Sequence, residues 1–246
     1  VKAKLVVAAD GRRSAFAAKA GIAYTGWDYA QTSLVCALRH EKPNDGIAYQ
    51  HFMPTGPLAI LPLTENRVSI VWTDTTENAK TIMSLADKAY LDVLRPRFGD
   101  FLGDIAMAGK RFAFPLELSI AQSLIADRLA LVGDSAHGMH PIAGQGLNAG
   151  LRDIAALTQV IHEAKQRGED FGSAAVLNRY QKWRRFDATA LPLALDGFNR
   201  LFSNHNRLLQ DIRAIGIGIV NGLPDLKRLL IRQAAGLSGE LPHMMQ

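Results

Sequence analysis

Residues 138–153, Gly-Met-His-Pro-Ile-Ala-Gly-Gln-Gly-Leu-Asn-Ala-Gly-Leu-Arg-Asp, constrain this chain more tightly than any other stretch. Gly138, Gly144, Gly146 and Gly150, with Pro141 among them, crowd a run in which Leu147, Leu151, Ile154 and Ile161 recur at helical spacing. Lys165, Arg167 and Gly168 then supply a basic last turn and a stop. A long helix is therefore expected after a loop so poor in Cβ atoms that a flat ligand can lie against its backbone. The amides near Gly146, Leu147 and Asn148 would meet that ligand with the positive end of the helix dipole.

Two short apolar runs frame this loop in a larger plan. Residues 129–132, Leu-Ala-Leu-Val, are uniformly apolar, as a parallel strand buried on both faces must be, and they end at Gly133-Asp134. Residues 5–9 form a similar run that breaks at Asp10-Gly11, after which Ser14 opens a short alanine-rich helix stopping at Gly21. Between them the pattern changes: residues 32–38, 47–53, 58–63, 67–72 and 110–118 are β-type runs separated by Pro, Gly and Asn, and 77–98 reads as helix. Residues 174–235 read as mostly helical, with breaks at Pro192, at 216–222 and at Pro224. The order predicts an α/β fold: an incomplete Rossmann-like nucleotide-binding domain (1–22 and 119–190), interrupted by an antiparallel β-sheet domain (23–118) and followed by C-terminal helices (191–246).

Composition narrows the partners. Cys36 is the single cysteine, so an internal disulfide and a zinc cluster are both excluded and a reducing cytoplasm is the expectation; as a residue, Cys36 reads as a small buried hydrophobe. The most apolar run, 214–220, is far too short to span a bilayer. A net charge of +5 would suit nucleic acid only if the basic residues clustered with aromatics. They are dispersed except for Lys182, Arg184 and Arg185 around Trp183, which reads as a solvated helix face, so no nucleic-acid partner is expected. The sequence opens on Val1 and runs directly into a buried strand, as if begun in the middle of a domain.

In an open parallel sheet, ligands gather at the carboxyl ends of the strands, and Asp10 and Asp134 stand at two such ends, placed for a ribose or phosphate edge. A turn for Asp10 and an N-cap for Asp134 are the alternatives. Gly133-Asp134-Ser135 also admits a hydrolase with Ser135 as nucleophile and His137 or His140 as base, although a histidine two residues away reaches the serine poorly. A metal on Asp134, His137 and His140 would draw too few ligands from one loop, so no metal is expected and His137 reads as a loop hydrogen-bonder. On the sheet, His51 and Trp72 are substrate-facing candidates, with core packing or surface exposure the better reading.

The stretch from His140 to Asp153 resembles the signature of the ubiquinone-biosynthesis monooxygenases, the UbiH/COQ6 group of FAD-dependent aromatic-ring hydroxylases. Ala9-Asp10-Gly11-Arg12-Arg13-Ser14 is similar to the second flavin motif of that family and residues 128–141 to its third. Residues 56–62 and 223–230 extend the likeness along the chain. The resemblance implies that the split domain binds FAD and the sheet domain binds substrate. It implies that Asp134, with Gly133 before it, meets the ribityl or ribose part of FAD. Gly144, Gly146, Leu147 and Asn148 would line the isoalloxazine, Pro141 would sit at its reacting edge as the catalytic-loop residue, and Asp10 near the pyrophosphate. A reduced flavin carries negative charge at its N1/C2-oxygen edge, which the helix amides would stabilise.

The implied reaction is hydroxylation of a polyprenyl phenol with O2, NAD(P)H reducing FAD and a flavin C4a-hydroperoxide delivering oxygen. Other ubiquinone-biosynthesis proteins are the implied partners. Two departures qualify the likeness. Where the second motif often carries Arg three residues after its Ser, this sequence has Ala17. The family's Gly-x-Gly-x-x-Gly after an N-terminal strand has no counterpart; Gly216-Ile-Gly218-Ile-Val-Asn221 lacks the strand, the third glycine and the downstream acid. The sequence therefore leads to the expectation that this polypeptide is a fragment, binding FAD poorly and inactive by itself, or a non-catalytic scaffold derived from the hydroxylase fold. Leu208, Leu209, Ile212, Ile215, Ile219, Leu229, Leu230 and Ile231 lie among Arg207, Arg213, Lys227, Arg228 and Arg232. Interdomain packing is the first reading of these helices, and peripheral contact with the inner face of a membrane the second.

Overall fold

The computed structural model describes residues 2–203, 223–234 and 241–245. The chain forms two compact units: Val1–Trp27 with Glu117–Phe198 and Ile212–Gln246, and Asp28–Leu116 with Asn199–Asp211. The sequence readings at residues 204–222, including the weak glycine motif at 216–221, lie outside the described residues.

In the first unit, strand β1 (Val6–Ala8) pairs in parallel with a strand late in the chain, Leu129–Leu131, in the register Val6 to Leu129 and Ala8 to Leu131. Helix α1 (Ala15–Lys19) follows β1, capped where Ser14 accepts the Ala17 amide at 3.1 Å. Ala17 is fully buried in this core, so there is no room for a longer side chain where the related motif often carries arginine.

The second unit begins within β2 (Tyr24–His40), which is far longer than the expected 32–38. It continues through β3 (Tyr49–Met53), β4 (Gly56–Leu63) and β5 (Arg67–Thr75), paired antiparallel in the order β2-β5-β4-β3. One face carries the core: Leu34 lies opposite Trp72, which lies opposite Leu58, and Cys36 opposite Ile70, which lies opposite Ile60. Residues 77–98, expected to be helical, form two helices, α2 (Thr76–Ser84) and α3 (Asp87–Phe98), because Leu85 and Ala86 adopt extended backbone between them. Their Ala79, Ile82, Tyr90, Leu94 and Phe98 close the core over that face. A short β6 (Ile105–Met107) pairs with β2, and β7 (Phe112–Ala121) leads back to the first unit.

There, β8 (Ile125–Ala126) pairs antiparallel with the Leu129–Leu131 strand, now β9, which is buried along its whole length as its sequence requires. A turn at Gly133–Ser135, strand β10 (His137–Gly138) and a second turn at Pro141–Ala143 lead into α4 (Gly146–Gln166). The helix starts where the glycines place it, but Leu147, Leu151 and Ile154 point outward. Its buried face is instead Ala149, Ala156, Leu157, Val160 and Ala164, whose small side chains let α4 lie close to β9 and to Val176, Leu177 and Tyr180 of α5 (Ala174–Phe202). The expected break at Pro192 does not occur; α5 runs through it, with Ala188 and Leu195 buried on either side. Pro224 likewise begins a helix, α6 (Pro224–Ala234), a position where its missing N–H costs nothing.

Candidate functional site

The two strand ends singled out by the sequence are joined in the first unit. Ser135 donates its hydroxyl to Asp10 Oδ1 at 3.0 Å and accepts the Gly11 amide at 3.1 Å. Asp10 Oδ2 accepts the Ala15 amide at the start of α1, and Tyr24 donates to the Ser135 carbonyl at 2.7 Å. Hydrogen bonds from Ser14 first, and then from Ser135, hold the Asp10 carboxyl below its ordinary range despite some desolvation. Asp10 thus organises the turn after β1 while keeping an exposed edge. Ser135 is fully buried and committed to Asp10 and Gly11. Neither histidine serves it: His137 faces Asp153 and His140 caps the next turn, an arrangement that gives no nucleophile–base pair for a hydrolase.

Arg12 fastens the second motif to the third. Its Nε lies 3.4 Å from Asp134 Oδ2, and its guanidinium donates to the carbonyls of Met139 (2.8 Å) and Glu117 (3.4 Å). A Cβ on Gly138 would come within 3.0 Å of Arg12 Nε, so this glycine makes room for the arginine. Asp134 keeps its carboxylate half-exposed. The start of α4 lies beside it: a Cβ on Gly146 would sit 3.8 Å from Asp134 Oδ1. Gln145 makes no side-chain cap, so no side chain of that residue occupies the first amides of α4. Gly144 has φ +62° and Gly11 φ +81°, and a Cβ on either would enter open space. Leu147 is 73% exposed, and Pro141 opens the turn on the exposed side of the loop. Gly133, at φ +61°, packs against Gly150, whose Cβ would approach its Cα to 3.3 Å.

Behind the loop lies a charge cluster that the sequence reading missed. Asp153 is fully buried and accepts from His137 Nε2 at 2.6 Å, the Gly133 amide at 3.0 Å and Arg184 Nε at 2.8 Å. Arg184, expected on a solvated helix face with Lys182 and Arg185, is buried because it serves this carboxylate. The signal available was the acid that ends the glycine stretch, since a buried carboxylate demands a cation. His140 is buried too, its Nδ1 accepting the Ile142 amide at 3.2 Å, and burial together with Arg12 pushes its pKa down to about 4.

In the second unit, Trp72 belongs to the core face, and His51, opposite Leu58, shares its side of the sheet. The opposite face holds Gln31, Ser33 and Thr73. Ser33 and Thr73 share a 2.8 Å hydroxyl contact, and Gln31 donates to the Thr55 carbonyl and accepts from Asn199. Phe52 lies on this face as well, its ring centroid 4.6 Å from that of Phe202. Period-two alternation from Leu34 and Trp72 was the signal that could have separated the two faces.

Residues 1–191 match the family described as FAD binding domain. Ubiquinone hydroxylase UbiL of Rhodospirillum rubrum is 43% identical over 249 residues, covering 100% of this chain and 58% of the relative. The 3-demethoxyubiquinol 3-hydroxylase of Escherichia coli is 35% identical, covering 96% of this chain and 60% of that protein. The chain therefore spans somewhat over half the length of these relatives. Among solved structures, the p-nitrophenol 4-monooxygenase PnpA of Pseudomonas putida superposes with a TM-score of 0.75 at 18% identity, over 96% of this chain and 60% of that one, a likeness of fold. With the family match running over residues 1–191, the chain belongs to the FAD-binding domain family.

Proposed function

We propose that this chain supplies the flavin-facing loops and the substrate sheet of an FAD-dependent monooxygenase that hydroxylates the ring of a polyprenyl phenol in ubiquinone biosynthesis. The observation that carries the reading is that Ser135 ties Asp10 to the turn after β9, where the Asp134 carboxylate lies beside Gly146 at the start of α4. A Cβ at Gly11 or Gly144 would meet no atom within 4 Å, and Asp134 keeps a half-exposed carboxylate beside the start of α4, which the Gln145 side chain does not cap. These are the donors and acceptors that the ribityl hydroxyls and the N1/C2-oxygen edge of a flavin require.

Asp134 would hold the ribityl or ribose hydroxyls, with Gly133 setting its turn. The amides of Gly146, Leu147 and Asn148 would stabilise negative charge on the ring, Leu147 and Gly144 would lie along it, and Pro141 would border its reacting edge. Asp10 would stand near the pyrophosphate. Bound FAD supplies the activation of O2, with electrons from NAD(P)H. The sheet face of the second unit that carries the buried Gln31, Ser33 and Thr73, with Val35 and Val71 beside them, is the one that would pack toward the phenol ring. Among the described residues no helix is long and apolar enough to cross a membrane. Peripheral contact through α6 would bring the protein to a polyprenyl substrate.

Titration of the chain with FAD, read as quenching of flavin fluorescence, tests the reading. Weak but saturable quenching, weakened a further tenfold or so by Asp134→Ala, is expected, the loss of one charged hydrogen-bond partner. Quenching that never saturates, or that ignores Asp134→Ala, overturns it.

A further inference from the structure

Asp153 lies two helical turns from the start of α4, with its side chain shut off from solvent. Its three donors come from three different segments: the turn after β9, strand β10 and helix α5. Arg184 continues the cluster to Asp187 at 2.7 Å, and Asp187 faces Arg152 at 3.8 Å. Burial raises the Asp153 carboxyl, and His137 followed by Arg184 more than reverses this, so it stays ionised.

A buried ion cluster of this kind contributes little net stability, because well-packed apolar side chains of the same volume serve as well or better. What it does supply is geometry. The Gly133 amide is held by Asp153 while Gly133 Cα rests against Gly150, one turn earlier on the same helix. The next residue along the chain is Asp134. The turn 150–153 therefore grips the end of β9 twice, once by close contact and once by hydrogen bond. That double grip fixes the distance from the Asp134 carboxylate to the first amides of α4.

We infer that Asp153 is a positioning residue of the flavin site, holding the Gly133 turn against α4 so that Asp134 and the helix amides present a single fixed spacing to the ligand. This rests on the flavin reading for its ligand, though the grip itself is a property of the chain alone. Arg184 neutralises the clamp, and His137 ties it to β10.

Three variants of the full chain separate positioning from simple support. Asp153→Asn is nearly isosteric but loses the charge, and Arg184→Lys removes the Nε donor while leaving the Gly133 and His137 contacts in place. Amide hydrogen exchange over residues 133–138, FAD affinity and melting temperature are read for each. Asp153→Asn is expected to speed exchange in that segment and to weaken FAD by about tenfold, the worth of one charge-assisted bond. Arg184→Lys is expected to lower the melting temperature with little change in either. Losses that track melting temperature alike in both variants overturn the inference, as does unchanged exchange in Asp153→Asn. Asp153→Glu, which moves the charge by one methylene, takes the place of Asp153→Asn if that variant does not fold, with the same two outcomes. If the unaltered chain takes up no FAD, the flavin reading fails while the exchange result still decides the role of Asp153.

Discussion

Ser135 gives its hydroxyl proton to Asp10 across 3.0 Å and takes the Gly11 amide at 3.1 Å, joining two strand ends 125 residues apart in sequence. Removing the hydroxyl leaves a partly buried amide and a carboxylate each one partner short. Ser135→Ala is expected to cost about 1–3 kcal/mol in urea unfolding. The Asp10 carboxyl is held low, so its contribution is complete above the ordinary aspartate value of 3.8 and is lost as pH falls through the lower folded value. NMR titration should show Ser14→Ala raising the Asp10 pKa more than Ser135→Ala does. The reverse order would contradict the assignment of Ser14 as the stronger donor.

His140 makes a second pH dependence, of the opposite chemical kind. Burial, then Arg12, keep the ring neutral and move its pKa from 6.5 to about 4. Between those values the unfolded chain binds a proton that the folded chain refuses. Stability from this site is therefore full above pH 6.5 and lost as pH falls towards 4, a change on the order of 3 kcal/mol. Unfolding free energies measured across that window should slope upward with pH, and His140→Asn, which keeps an acceptor for the Ile142 amide, should flatten the slope. An unchanged slope would remove His140 as its source.

The glycines of the long motif serve different purposes, and alanine separates them. In Gly150→Ala the methyl meets the Gly133 backbone at 3.3 Å, so α4 must shift or the turn must give. A loss of about 1–3 kcal/mol is expected, as for other overpacked contacts. Gly144→Ala meets no atom within 4 Å, but its φ of +62° costs a side chain roughly 1–2 kcal/mol. Comparable melting temperatures with a larger loss of FAD affinity in Gly144→Ala would mark Gly144 as the one that faces the ligand. FAD affinity in Gly144→Ala equal to that of the unaltered chain would leave it a turn residue alone.

Much of this arrangement was legible in the sequence, and the failures share a physical cause. The start of α4, the buried strand at Leu129, the Ser14 cap and the antiparallel sheet all follow from local chemistry: glycine conformation, uniform apolarity, capping and alternation. Burial decided by distant partners did not. Arg184 looked like a surface cation because its partner, Asp153, lies 31 residues away. The apolar stripe of Leu147, Leu151 and Ile154 identified the helix but not the face it buries, since alanines let α4 approach β9 more closely than leucines could. Pro192 suggested a break that packing on both sides of it overrides.

On α6, Lys227, Arg228 and Arg232 are exposed together with Ile231, which is 57% accessible. The Asp225 carboxylate faces Arg228 at only 3.9 Å and both are solvated, so that pair does little to quench the positive charge. Each basic side chain near an anionic lipid surface contributes about 1 kcal/mol, and an embedded isoleucine adds to it. Vesicles rich in anionic lipid should therefore co-sediment the chain at low salt, with binding falling as salt is raised. Reversing the three charges, Lys227→Glu with Arg228→Glu and Arg232→Glu, should weaken binding by at least about a hundredfold at about 1 kcal/mol for each charge removed. Binding that is absent even on anionic vesicles would leave α6 without a membrane role, and binding that survives the triple reversal would place the contact elsewhere on the protein.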